Sequence, residues 1–525
     1  MRADVGEALK NILALTLFFA AACVIPIAAL LAWPLPEIPQ EGKTGAFLIR
    51  DVAIVDVNAG TIRRHQDVYA QDGKIRSITP AGSVQVSGTP TIIAGTGLFL
   101  VPGLWDMHTH TTKLAANYQH PLFLANGVTG VREMWGCMSE PDSFFACIDD
   151  RQRWNSALRD HSGLSPRYIG QGSFQINGGN EVPLGYPDYF RARNESEARQ
   201  LVDYYADAGA SFLKVYAELP PESYFQLAAQ ARRRGLSLQG HRPMKLSLEE
   251  VIVARQRSIE HARLFLLECF SGAVDFRALD SPLAAYDATL RSRLVDEHDG
   301  ERCKTLMAEM SASSTWWTPT LTTMEMGARA GDPAYRNDPR LRYIPTLFRR
   351  LMWIPDADAK IVNGIENKGR NTYAELYTLA LRTVGQAYAA DVKLLTGSDT
   401  FDTYVFPGFS AHDELENLVT AGLPPSAALK TATIDAAIFS GLQDQFGSIE
   451  VRKAADMLLL AANPLRDIRN TREIVGLFFN GQFFDRSALD NLLQYAQARA
   501  GSIHQNVHLA WAALRSPLLR RQFAD

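Results

Sequence analysis

Cysteine is scarce in this chain, five among 525 residues, so a disulfide-built scaffold is excluded and an apolar core must hold the fold. Charge of one sign is equally lacking: 53 lysines and arginines stand against 57 aspartates and glutamates, a net charge of −4. With no run of lysine or arginine long enough to create a basic face, a nucleic-acid-binding role is not indicated. Internal repeats and low-complexity tracts are absent as well, so a solenoid or a disordered linker is not indicated.

What is present begins with length. A chain of 525 residues exceeds one ordinary domain and fits one large domain with a small appendage. From Asn11 to Trp33 no residue is charged, and a bilayer takes about 20 such residues as helix. The expectation is an N-terminal transmembrane helix within residues 1–35, with Pro26 tolerated as a kink. A cleaved signal segment is the alternative, and Ala20-Ala21-Ala22-Cys23 reads as a poor lipoprotein signal. Arg2 and Lys10, offset by Asp4 and Glu7, favour an inward N-terminus only weakly. That places the body outside the cytoplasm, tethered to the membrane, or secreted or periplasmic after cleavage. Cys137, Cys147, Cys269 and Cys303 are an even set that permits two disulfides there.

After the proline-rich linker Pro34 to Pro39, short alternating runs separated by Gly60, Gly73 and Gly82 read as strands. A second group of such runs lies at Gly447 to Glu450, Ala455 to Leu460 and Ile474 to Gly481. The two groups are expected to form one β-sandwich domain, split between 43–98 and 445–490. Between them strands alternate with helices, which predicts an α/β fold, a (β/α)₈ TIM barrel over 99–444. Its eight strands end near His108, Glu133, Gly172, Tyr216, His241, His261, Thr320 and Asp399. Capping boxes at Asn194 with Glu197 and Ser247 with Glu250 mark helix starts. The stretches Leu264 to Ser314 and Met324 to Asp391 exceed a normal crossover and read as helical excursions forming a lid or pocket wall. Residues 491–525 read as a helical tail.

Chemistry concentrates at the predicted strand ends. His108 and His110 are two apart, so on a strand both imidazoles face one side and can face one ion. Lys214 sits in the apolar run Ser211 to Tyr216; burial depresses a lysine pKa, and a neutral amine can take up CO₂ to become an anionic ligand. A lysine reaching out to the strand end, or a Schiff-base lysine, is the other reading. His241 ends Ser237-Leu238-Gln239-Gly240-His241, His261 ends Ser258-Ile259-Glu260-His261, and Asp399 closes an apolar run from Val392. Tyr216 shares the face of Lys214 and is a candidate donor to a substrate carbonyl or oxyanion. Arg242 is a candidate for a substrate carboxylate, or for pairing with Glu133 or Glu260. Asn177-Gly178-Gly179-Asn180 and the run Trp316 to Thr320, with Trp317, are expected to shape the pocket, and His412 to see substrate.

These residues resemble the amidohydrolase superfamily, in particular members whose carboxylated lysine bridges two metals. The resemblance rests on the Pro102-Gly103-Leu104-Trp105-Asp106-Met107-His108-Thr109-His110 run, then Lys214, His241, His261 and Asp399 in order. It extends to Asn126 through Glu133 and to Gly447 through Met457. Relatives of the Xaa-Pro dipeptidase and imidazolonepropionase kind are the most similar. The resemblance implies two divalent ions, zinc in type: His108, His110 and Asp399 on one, His241 and His261 on the other, and N6-carboxylysine at Lys214 bridging them. It further implies an amidohydrolase cleaving an amide or peptide-like C–N bond with a hydroxide shared by the two ions, Asp399 serving as general base and acid. A dipeptide, N-acyl amino acid or cyclic amide is the expected small-molecule substrate. A lactone, ester or phosphotriester hydrolase using the same site is the alternative, and a catalytically silent, membrane-tethered binding protein the alternative of another class.

Overall fold

The computed structural model of the chain describes residues 24–86, 88–137, 142–178, 191–365, 369–516 and 519. Among these, strands form three sheets, of nine, five and three strands.

In the nine-stranded sheet, Phe47–Asp56, Thr61–Gln71, Lys74–Pro80, Thr91–Ala94 and Phe99–Pro102 join Met457–Leu460, Ile474–Phe479 and Gln482–Asp485 from the far end of the sequence. The seam is antiparallel, with Leu458 opposite Val101. Along Phe47–Asp56 the buried face switches from Phe47 and Ile49 to Val52 and Ile54, because Asp51 takes a left-handed backbone (φ 56°) and the ladder slips there. A bulge of this kind inverts the alternation beyond it.

The other two sheets are parallel and lie end to end in a curl. Leu104–Thr109 pairs with Val128–Glu133, and that strand with Arg167–Tyr168. Gly172–Ile176 then pairs with Phe212–Val215, followed by Ser237–Gly240, Ser258–Glu260 and Trp316–Thr318. The curl returns to its start through irregular chain: Trp317 N donates to Lys393 O (2.8 Å), and Asp399 N donates to His108 O (2.9 Å). The regular eight-stranded barrel expected from the sequence is therefore corrected to a mixed α/β fold with a curled sheet. Its predicted last strand, ending at Asp399, does not form. Asp106 removes one of its backbone donors by accepting from Ser398 N (2.9 Å), and Asp399 is left-handed (φ 65°). Gly397 is required in that segment, since a Cβ there would meet Thr318 Cγ2 at 2.4 Å and His108 Cβ at 2.8 Å.

The long excursions are helical. Ala288–Asp296, Gly300–Ala312 and Thr372–Ala389 each start on a side-chain cap, from Asp287, Asp299 and Asn371. Cys137 with Cys147 and Cys269 with Cys303 come together as two disulfides, their Cα atoms 4.5 and 4.8 Å apart.

The N-terminal transmembrane helix is a second correction. Among the described residues no helix is long and apolar enough to cross a membrane. Most of Asn11 to Trp33, including Ala20 to Cys23, lies outside the described residues. The described part is helical over 24–32, about 14 Å at 1.5 Å per residue, where the hydrocarbon core needs about 30 Å. It ends against the body: His508 Nε2 donates to Leu30 O (3.1 Å) and His504 Nε2 to Trp33 O (2.9 Å). The membrane partner and the extracytoplasmic placement rested on that helix and are corrected with it.

Candidate metal centre

Leu104–Thr109 is buried throughout. His108 at its end is oriented from behind: its Nδ1 lies 3.0 Å from Glu260 Oε2. Glu260 is held in turn by Arg132, whose Nη2 donates to both carboxylate oxygens at 2.9 Å. A carboxylate on Nδ1 fixes the tautomer and leaves the Nε2 lone pair free for a ligand. That Nε2 is 3.2 Å from Asp399 Oδ1 and 3.4 Å from Lys214 Nζ. His110 Nε2 reaches the same Asp399 oxygen at 2.7 Å.

A second pair faces them. His241 follows Ser237–Gly240 and His261 follows Ser258–Glu260, and their Nε2 atoms are 3.0 Å apart. His261 Nδ1 meets Thr320 Oγ1 at 2.8 Å and lies 3.4 Å from Asp399 Oδ2. Tyr216 stacks on His241 with ring centroids 4.2 Å apart. His261, Thr320 and Asp399 all have left-handed backbones (φ 69°, 46° and 65°). Left-handed conformations cost non-glycine residues about 1–3 kcal/mol and collect at functional sites.

Burial sets the charges. It holds His108, His241 and His261 well below the usual imidazole range, and the charge of Lys214 adds to the effect on all three. These rings are neutral, as ligands must be. Burial also brings the Lys214 ammonium down to about 8, against the pull of Glu260 and Asp399. For Asp399, burial works to raise the pKa, but the hydrogen bond and charge of His110, with Lys214 and Arg263, outweigh it and hold the carboxyl below its ordinary value.

This donor set fits a divalent cation. Ligand atoms of His108, His261 and Asp399 lie within 4.8 Å of one another, all buried. The His241 and His261 Nε2 atoms, 3.0 Å apart, share one proton as a hydrogen bond, and both lone pairs become available when a cation replaces it. The buried Nδ1 atoms of His110 and His241 have no hydrogen-bond partner. Neutral imidazoles with carboxylate oxygen suit zinc and its neighbours.

The cluster opens on a cavity of about 220 Å³, lined by His110, Lys214, Tyr216, His241, His261 and Asp399. Trp135, Gln175, Arg263, Met352, Trp353, Phe401, Asp402 and Thr403 complete its lining. Six of the sequence-predicted residues and Tyr216 are thus brought together, if His108 behind the cavity is counted. Three others are corrected. Arg242 is fully buried and turned away, its guanidinium donating to Leu264 O and Pro243 O and pairing with Glu268 (3.3 Å). Trp317 is buried in the core, stacked on Phe265 at 4.5 Å. His412 is a structural histidine, with Nδ1 2.9 Å from Thr471 Oγ1 and Nε2 2.9 Å from Asn126 O. Gly179 and Asn180, expected to shape the pocket, lie outside the described residues. The Arg132–Glu260 support and the Trp135 and Trp353 walls were missed. The available clue was Glu260 itself, a carboxylate inside an apolar strand next to His261.

Residues 357–484 match a model of the amidohydrolase family. No curated protein matches the chain. Among solved structures, bottromycin amidohydrolase is similar over 91% of this chain and 94% of its own, at 22% identity and a TM-score of 0.66. A Xaa-Pro dipeptidase with methionine bound in its active site is similar over 84% of this chain and 100% of its own, at 18% identity and a TM-score of 0.60. The ochratoxinase of A. niger is similar over 84% and 96%, at 18% identity and a TM-score of 0.55. These likenesses establish a common fold. The family match, confined to residues 357–484, adds a similarity to the amidohydrolase family in that part of the chain.

Proposed function

We propose that this chain is a metal-dependent hydrolase that cleaves an amide or peptide-like C–N bond in a small molecule, with the site carried by residues 99–444. The observation that carries the reading is the convergence of four histidines, Asp399 and the buried Lys214 around one small cavity. The names of the similar structures, an amidohydrolase and a dipeptidase, support the bond type.

His108, His110 and Asp399 would hold one divalent ion and His241 with His261 a second. Lys214, whose neutral amine is favoured by burial, would take up CO₂, lose a proton and serve both as a carbamate. When bound, such ions supply an acidified water and polarise the scissile carbonyl. The residues do the rest. Asp399, kept ionised by His110, accepts the proton of the attacking water and returns it to the leaving nitrogen. Tyr216 has no hydrogen-bond partner for its hydroxyl among the described residues, and its pKa is raised by burial, so it stays protonated and donates to the carbonyl oxygen. Glu260 and Arg132 keep His108 in its ligand tautomer.

The test is hydrolysis of dipeptides, N-acyl amino acids and cyclic amides by purified protein supplied with zinc and bicarbonate. Cleavage that chelation abolishes and zinc restores is the expected result. Cleavage of esters or lactones with no amide hydrolysed would contradict the proposed bond type.

A further inference from the structure

The cavity holds a cation that the fold does not use. Arg263 lies two residues after His261, in the short helix Ala262–Leu266, and its side chain lines the cavity beside Tyr216 and Asp399. It is only partly buried. Among the described residues its guanidinium has no carboxylate at ion-pair distance and no hydrogen-bond partner. Two fully buried arginines near the site differ. Arg132 is taken up by Glu260, Gln239 and Ser258, and Arg242 by Glu268 and backbone carbonyls.

Arg263 is also aimed at the chemistry, since its charge acts on Tyr216, His241, His261 and Asp399. A cation drawn partly out of water without a counter-ion is unfavourable, and a ligand anion would relieve that. A guanidinium is planar and forked, a shape that fits a carboxylate with two parallel hydrogen bonds. Size narrows the ligand further. The space is about 220 Å³, below the roughly 300 Å³ at which drug-sized pockets begin, which suits a small substrate. Trp135, Met352, Trp353 and Phe401 supply an apolar wall for a side chain.

Building on the hydrolase reading above, we propose that Arg263 is a specificity residue that binds the free carboxylate of the substrate. The substrate class is then an amide of an amino acid whose own carboxylate is free, a dipeptide or an N-acyl amino acid. Neutral amides and internal peptide bonds are disfavoured.

Calorimetric titration of the metal-loaded full chain with N-acetylleucine and with its carboxamide tests this without requiring turnover. The wild type is expected to bind the acid about 10–100-fold tighter, the worth of a charge-assisted hydrogen-bonded pair. Arg263→Gln should erase that preference while metal content and carboxamide binding stay as they were, and Arg263→Lys should keep part of it. In turnover, the loss should fall on KM for acid substrates more than on kcat. Equal binding of acid and carboxamide by the wild type, or a preference that survives Arg263→Gln, overturns the proposal. An Arg263-dependent preference in a protein that hydrolyses no amide would uphold the carboxylate site and defeat the hydrolase reading. Amide hydrolysis indifferent to the carboxylate would do the reverse.

Discussion

Two buried polar regions lie on either side of the Ser258–Glu260 strand and its following helix, and they solve burial in opposite ways. Around Arg242 every charge has a partner: Glu268 pairs with Arg242 (3.3 Å), Arg277 (2.7 Å) and Arg302 (3.4 Å). Carbonyls of Pro243 and Leu264 accept the remaining Arg242 protons. Around His108 the groups are left short. Imidazole nitrogens face each other, two Nδ1 atoms have no partner, and three residues hold left-handed backbones. A complete network serves the fold. An incomplete one of the same burial is a site awaiting a ligand.

Breaking the two regions should therefore give different failures. The largest effect is expected from Asp399→Asn, which removes the proposed proton acceptor and metal ligand; kcat should fall about 10²–10⁴-fold, with the thermal midpoint of the metal-free protein little changed. Glu268→Ala should do the opposite. It strands Arg242 without its counter-charge, for a loss of about 3–5 kcal/mol in urea unfolding, while metal bound per folded chain stays constant. Between these lies Glu260→Gln, which touches no metal but weakens the support of His108. Metal affinity by competition with a chelator should drop about 10–100-fold, as for other carboxylates behind a ligand histidine.

The smallest effect concerns pH. Burial lowers the Lys214 pKa from 10.5 to about 8 in the folded protein, so between those values the unfolded chain binds the extra proton. Metal-free protein should thus gain stability as pH rises through that window, by at most about 1.4 kcal/mol per pH unit. Lys214→Met should flatten the dependence, as read from urea midpoints between about pH 8 and 10.5. A slope that persists in Lys214→Met would assign it to another group.

The proposed ligand set was legible because His108, His241, His261 and Asp399 each fall at the end of a candidate strand, with His108 and Asp399 closing apolar runs where a polar side chain has few structural uses. What could not be read was support from distant chain. Arg132 and Glu260 are far apart in sequence and meet only when the sheet curls. Arg242 was misread for a local reason: it directly follows His241, and adjacent residues on extended chain point to opposite sides, so it faces Glu268 instead of the cavity. Arg263 reaches the cavity from the first turn of the helix that follows His261. The predicted strand before Asp399 failed because side chains, above all Asp106, compete for its backbone donors. The N-terminal apolar run was read by length alone, whereas the described part is a short helix end fastened by His504 and His508.

The central claim is that the under-satisfied cluster is completed by metal. Elemental analysis of protein purified with zinc and bicarbonate, then freed of loose ions, tests it most directly. The account predicts about two ions per folded wild-type chain, as binuclear hydrolytic sites hold, with marked loss in Lys214→Ala and no loss in Arg242→Met. Fewer than about one ion per wild-type chain, or full metal content in Lys214→Ala, would contradict a two-ion site.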